Sequence, residues 1–176
     1  MTSLRSRTNT NTLLLVVCLA QFMVILDVAV VNVALPSMRD ALHFSTGGLQ
    51  WVVNAYTLTF AGFIMLGGRF ADLLGRRRML LAGTVLFAVS SLLCALADNR
   101  GLLIGARALQ GLGGAIVSPA TLSIITSALP EGRERNRALG AWAAVGGLGA
   151  SSGALLGGVL TQALGWPAIL DRKSVV

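Results

Sequence analysis

Two ionisable side chains stand inside long apolar runs. Asp27 lies in the run 13–35 and Arg107 in the run 102–129. On insertion scales each costs about 2.5–3.5 kcal/mol at the centre of a bilayer, so each must face a partner or a water-filled cavity. An acid exchanges its proton with water, whereas a guanidinium keeps its own. Burial favours the neutral acid and a nearby guanidinium favours the carboxylate. Such a pair can turn the arrival of a proton into a redistribution of charge. The plainer alternative is a buried pair that only holds two helices together. Other chemistry is poorly provided for. His43 is the single histidine and sits in a polar connector, so the chain has no histidine pair and no zinc spacing. The phosphate-binding pattern G-x-x-x-x-G-K-S/T is absent, which argues against ATP as the energy source. The patterns H-E-x-x-H and G-x-S-x-G are absent too, which argues against an intramembrane hydrolase. The expectation is a protein that is not an enzyme, with no cofactor and no metal. Cys18 and Cys94 each lie in an apolar run. They should fall at opposite depths, too far apart for a disulfide, and are expected as buried free thiols.

Stepping outward from the pair, composition fixes the medium that surrounds it. The chain has 176 residues, 55% of them hydrophobic and only 12% charged, against about 25% charged in a soluble domain. The charges fall in short breaks between apolar runs, the pattern of an all-α membrane protein. After a polar tail at 1–12, five spans are expected at about 13–35, 49–67, 79–97, 102–129 and 138–164. At 1.5 Å per residue each is long enough for about 30 Å of hydrocarbon. The first run exceeds the roughly 7–15 residues of a signal-peptide core and ends at Leu35-Pro36, not at a small-residue cleavage site. Pro119 is expected to kink the fourth span. The tail, the stretch 68–78 and the break 130–137 hold nine Arg residues, whereas the connectors 36–48 and 98–101 hold only Arg39 and Arg100. That excess puts the N-terminus, 68–78 and 130–137 in the cytoplasm. The net charge of +7 therefore reflects insertion topology and not a nucleic-acid partner. In this topology Asp27 lies about 9 Å, and Arg107 about 8 Å, from the same outer edge. The two can meet directly or through water.

The spans around the pair carry faces of small residues. Arg107, Gly111, Gly114 and Ser118 are spaced 4, 3 and 4, so they share one helix face, with Gln110 beside it. Such a face suits either close helix contact or the lining of a cavity. In the fifth span Gly146, Gly149, Gly153 and Gly157 are spaced 3, 4 and 4, with Gly158 alongside. They make a smooth surface for another helix. The stretch 68–78 packs five charges into eleven residues, which hydrocarbon does not tolerate. It must be a short turn at a membrane face. Gly68 and Gly75 permit tight geometry, and Asp72 and Arg76 are four apart and can pair if a helix begins there.

Several of these patterns resemble the major facilitator superfamily. Gly68, Asp72, Gly75, Arg76 and Arg77 match its cytoplasmic loop signature G-x-L-a-D-r-x-G-r-k, with Phe70 where Leu is usual. Residues 107–115 resemble its fourth-span signature R-x-x-q-G-x-g-a-a, whose Arg belongs to the proton-coupling machinery. Residues 26–36 resemble the first-span signature l-D-x-t-v-v-n-v-A-L-P of drug:proton antiporters with fourteen spans, with Ala29 in place of Thr. Gly149, Gly153, Gly157 and Gly158 match the antiporter signature G-x-x-x-G-P-x-x-G-G, except that Ala154 replaces the proline. The resemblance covers about residues 13–166. It implies the first five helices of a six-helix N-terminal bundle, in which spans 1–3 and 4–6 are inverted repeats. It also implies a multidrug antiporter of the plasma membrane, with Asp27 and Arg107 in proton coupling. Its cavity would be lined by Gln110, Gly111, Gly114, Ser118 and Asn32. The implied partners are the lipid bilayer, protons, a small hydrophobic substrate and a C-terminal bundle that this chain lacks. The fifth-span glycine face is expected to take a helix of that absent half. Two other readings remain, an inert truncated fragment and a nutrient uptake facilitator. Residues 171–176 back-translate to a string like a common sequencing adapter and are expected to be a non-native tail.

Overall fold

Apolar runs with so few breaks fold as helices, because backbone polar groups in hydrocarbon must pair within their own segment. A computed structural model of the chain describes residues 2–169, with side chains placed over 11–155 except Thr46 and Ala154. It contains five helices: α1 (Thr2–Leu42), α2 (Thr46–Leu74), α3 (Arg76–Ala95), α4 (Arg100–Ala128) and α5 (Arg133–Ile169). Among the described residues, the first four are long and apolar enough to cross a membrane. The expected fifth span lies within α5, whose later side chains, like the tail 171–176, fall outside the described residues.

The connectors are shorter than expected. Where a break was expected over 36–48, α1 runs through Pro36 to Leu42 and only 43–45 separate it from α2. A proline removes one backbone donor from a helix, but here tertiary packing outweighs that loss. Met38, one half-turn beyond Pro36, is buried with Ala34, Phe44, Val52 and Leu103. α4 likewise remains helical through Pro119. The polar break at 130–137 shrinks to 129–132 ahead of α5. Local polar groups close the ends. Ser45 caps α2 by accepting from the Gly48 amide at 3.1 Å, and Asn99 caps α4 by accepting from the Leu102 amide at 2.8 Å. Two arginines close the far ends of other helices. Arg100 donates through Nε to the Leu42 carbonyl at 2.9 Å and through Nη2 to the His43 carbonyl, at the end of α1. Arg135 donates through Nε to the Leu129 carbonyl at 3.2 Å and through Nη2 to the Thr126 carbonyl, at the end of α4. Cations suit helix C-termini, whose last carbonyls are otherwise unpaired.

α4 is the centre of the bundle. α2 and α3 pack along two sides of it, α1 crosses it, and α5 packs along α1. The helices alternate in direction. Val17 of α1 meets Ile125 of α4 near one end, and Ala34 and Met38 of α1 meet Leu103 of α4 near the other. A middle cluster of Val24, Tyr56, Phe87, Val117 and Ala120 joins α1, α2, α3 and α4. The exterior is the reverse of a soluble protein's. Leu81, Val85, Val89 and Leu92 make an exposed stripe along α3, and Leu15 and Leu19 do the same on α1. Apolar patches this long face lipid.

Candidate functional site

The pair expected from the sequence forms in the middle of the bundle. Asp27 Oδ2 lies 2.7 Å from Arg107 Nη1. Arg107 and Gln110 are three apart on α4, so their side chains lie on neighbouring rows of one face. Gln110 Nε2 donates to Asp27 Oδ1 at 2.7 Å, and Gln110 Oε1 accepts from Arg107 Nη1 at 2.7 Å. The three side chains thus close a ring of hydrogen bonds. Further groups hold it. Arg107 Nε donates to the Val52 carbonyl of α2 at 3.4 Å, and the guanidinium lies 4.4 Å from the centre of the Tyr56 ring, within cation–π range. The Cys94 thiol of α3 donates to Gln110 Oε1 at 3.6 Å. Four helices therefore contribute to one polar knot.

Burial is unequal across the ring. Gln110 is 0% and Arg107 2% exposed, whereas the Asp27 side chain keeps 16% exposure. The acid is thus the more open member of the pair. A cavity of about 210 Å³ runs from Asp27, Arg107 and Gln110 past Cys94 and Ser91 towards Met38 and Leu103. It leads to the end of the bundle where α1 meets α2. Buried ion pairs are sensitive to the loss of one member, at about 3–5 kcal/mol, because the other charge stays behind unpaired.

The other expected residues are placed variously. Of the expected cavity set, Gln110 alone lines this cavity. Gly111 and Gly114 face α2: a side chain on Gly111 would run into Thr59 and the Tyr56 carbonyl, and one on Gly114 would meet the Tyr56 hydroxyl and Phe60. The glycine stripe of α4 is what brings α2, and with it Tyr56, against Arg107. Ser118 is half-buried, and its carbonyl accepts from the Thr121 hydroxyl at 2.7 Å. Asn32 is exposed on α1.

In the charged loop, Gly75 is the single residue between α2 and α3, at a φ of 96°. That backbone region is costly for any residue with a Cβ. Arg76 pairs with Asp72 across the junction at 3.4 Å, and Ser123 of α4 donates to the same carboxylate oxygen at 3.4 Å. Gly68 faces Pro119 of α4. Arg77 and Arg76 line the rim of a wider apolar crevice between α1, α3 and α4.

The described part of the glycine face of α5, expected to take a helix of the absent half, packs on α1 of this same bundle. Gly149 lies against Ile25 and Phe22, and Gly153 against Ala29 and the Leu26 carbonyl. The side chains Ile25, Leu26 and Ala29 already need a flat partner, and α5 supplies it. Gly157 and Gly158 continue along α5, where their surroundings fall outside the described side chains. The cysteines are free and half-buried, more open than the buried thiols expected.

An apolar exterior around a buried acid–guanidinium–amide ring defines a multi-pass membrane protein. Residues 17–170 match the Major Facilitator Superfamily, and the chain belongs to that family. It is 47% identical over 166 residues to the cephamycin export protein CmcT of Amycolatopsis lactamdurans, covering 94% of this chain and 34% of that protein. It is 47% identical to the puromycin resistance protein pur8 of Streptomyces alboniger, covering 87% of this chain and 30% of that one. It is 44% identical to the multidrug resistance protein Stp of Mycobacterium tuberculosis, covering 86% of this chain and 28% of that one. The chain thus spans about a third of the length of the curated relatives it matches. Among solved structures, it resembles a bacterial homologue of the human lysosomal transporter Spinster in an inward-facing, unoccupied conformation. The TM-score is 0.77 at 20% identity, covering 93% of this chain and 36% of that one. A likeness at that identity speaks for the fold alone.

Proposed function

We propose that this chain forms the N-terminal portion of a proton-coupled efflux carrier that exports hydrophobic small molecules. Its place is the plasma membrane, with the N-terminus in the cytoplasm. Export is supported by the relatives, which are named for cephamycin export, puromycin resistance and multidrug resistance. The orientation is supported by the nine Arg residues at the end of the bundle that holds the N-terminus, against Arg39 and Arg100 at the other.

Proton coupling rests on one observation above all. The acid of a 2.7 Å buried ion pair is its more open member and borders a cavity. Water in that cavity delivers a proton to an Asp27 carboxylate oxygen. The acid becomes neutral, and the Arg107 guanidinium loses its counter-charge while still buried. A cation in that position destabilises the arrangement by several kcal/mol, which drives the bundle towards one in which Arg107 is hydrated or paired elsewhere. Return of the proton to water on the opposite side restores the ring. Exchange of the hydrophobic substrate between the two arrangements links outward drug movement to inward proton movement. The second bundle of the carrier comes from sequence beyond the third that this chain matches.

Asp27→Asn in the complete carrier tests the reading. Dye efflux driven by a pH gradient, measured per inserted molecule, should vanish while insertion stays near normal. Asp27→Glu should keep part of the activity with a displaced pH profile. Efflux by Asp27→Asn with normal pH dependence would leave the pair with a purely structural role.

A further inference from the structure

The amide of Gln110 has two orientations, and they treat Asp27 differently. In the structure its Nε2 donates to Asp27 Oδ1 at 2.7 Å. Its Oε1 accepts from Arg107 Nη1 at 2.7 Å and from the Cys94 thiol at 3.6 Å. The reversed amide would present its NH₂ to the guanidinium, donor against donor. Towards the thiol, the NH₂ would find only a sulfur, a weak acceptor. It would also turn its oxygen towards Asp27. A carboxylate repels that oxygen, whereas a neutral acid can donate its O–H to it.

We propose that Cys94 is a positioning residue for the protonation step: its thiol holds the Gln110 amide with the donor end on Asp27. The inference rests on the reading of Asp27 as the protonation site. With the amide locked, Asp27 is served by two donors, Arg107 and Gln110, and is held as the carboxylate until a proton arrives. Without the thiol, one of the two donors on Oε1 is gone and the amide reverses more easily, which favours the neutral acid. The placement is built by the fold. Cys94 stands in the last turn of α3 and Gln110 in the third turn of α4. Both border the cavity that also reaches Asp27. Among the described residues, the titratable and charged groups around Asp27 are Arg107 of α4 in contact with it, Cys94 of α3 on the same cavity, and Tyr56 of α2 against the Arg107 guanidinium. α5 approaches α1 here through Gly146, Gly149 and Gly153, a stretch with no titratable residue.

Infrared spectroscopy of the chain in lipid nanodiscs tests this. In a Cys18→Ala background the S–H stretch reports Cys94 alone. It should lie below the free-thiol frequency and move back towards it in Gln110→Leu. The carboxyl band that Asp27→Asn removes is then followed against pH. Cys94→Ala should displace the pH profile of that band, since one of the two donors that hold the Gln110 oxygen is lost. Cys94→Ser, which keeps a donor, should return it towards the wild-type value. A free-thiol S–H frequency, or one midpoint shared by all three proteins, overturns the role of Cys94 and leaves the proposed function standing. An Asp27 band that never titrates in the wild-type protein overturns both. If Cys94→Ala does not fold, the S–H band in the wild type and in Gln110→Leu decides alone.

Discussion

Removing Asp27 should destabilise the bundle more than removing Arg107 does. Both charges lie deep, with side-chain exposures of 16% and 3%, so solvent screening takes little away. For charges about 4 Å apart at an effective dielectric constant of about 20, the attraction is about 4 kcal/mol, in line with about 3–5 kcal/mol for breaking a buried pair. The two deletions are not equivalent, however. Asp27→Ala leaves a guanidinium that cannot lose its proton. Its remaining partners, the Val52 carbonyl, Gln110 Oε1 and the Tyr56 ring, are neutral. The expected loss is about 3–5 kcal/mol. Arg107→Met leaves a carboxyl group that can take up a proton and still accept from Gln110 Nε2, so the loss should be about 1–3 kcal/mol. The double variant has no stranded charge and should lose less than the sum of the two by about 2 kcal/mol or more. Reversible unfolding in mixed micelles, followed in a Cys18→Ala background by the accessibility of Cys94 to a maleimide, gives all four corners of the cycle. Additive losses, or an Arg107→Met loss larger than that of Asp27→Ala, would show that the ring is not held by its charges.

Two further outcomes follow from other parts of the bundle. Gly111→Ala should cost about 1–3 kcal/mol, because a methyl group there runs into Thr59 and the Tyr56 carbonyl; Gly147→Ala, with open space around it, should stabilise α5 by up to about 1 kcal/mol. Equal effects of the two in the same unfolding assay would contradict the close α2–α4 approach. Cysteines placed at Ser3 and Ser45 should label from opposite sides of intact cells, Ser45 from outside and Ser3 only after permeabilisation; the reverse pattern would overturn the orientation.

Asp27 and Arg107 could be picked out from the sequence because charge in hydrocarbon is expensive wherever it falls. Their equal depth follows from counting residues along two helices that run in opposite directions. Gln110 was visible as a polar residue beside the stripe, but its part in the ring depends on a rotamer. Tyr56, the Val52 carbonyl and Cys94 were not legible. None carries a charge that demands an explanation, and their approach to Arg107 is set by how α2 and α3 pack on α4, which separation along the chain does not encode. The glycine face of α5 announced a close contact without naming its partner, since Ile25, Leu26 and Ala29 look like any lipid-facing residues until α5 covers them. The break at 36–48 was overestimated because a proline and scattered charges mark a boundary only when no packing overrides them, and Met38 supplies that packing.

The two arginine clasps have a mechanical consequence. Arg100, at the start of α4, grips the end of α1, and Arg135, at the start of α5, grips the end of α4. The grips sit at opposite ends of the bundle, so the three helices are fastened like links hooked at alternating ends. A pull on α1 along its axis passes into α4 at one end and into α5 at the other. Sliding one helix past its neighbour would break two carbonyl contacts at once, whereas tilting all three together breaks none. The clasps therefore oppose sliding of α4 against α1, or of α5 against α4, more than a common tilt of the three.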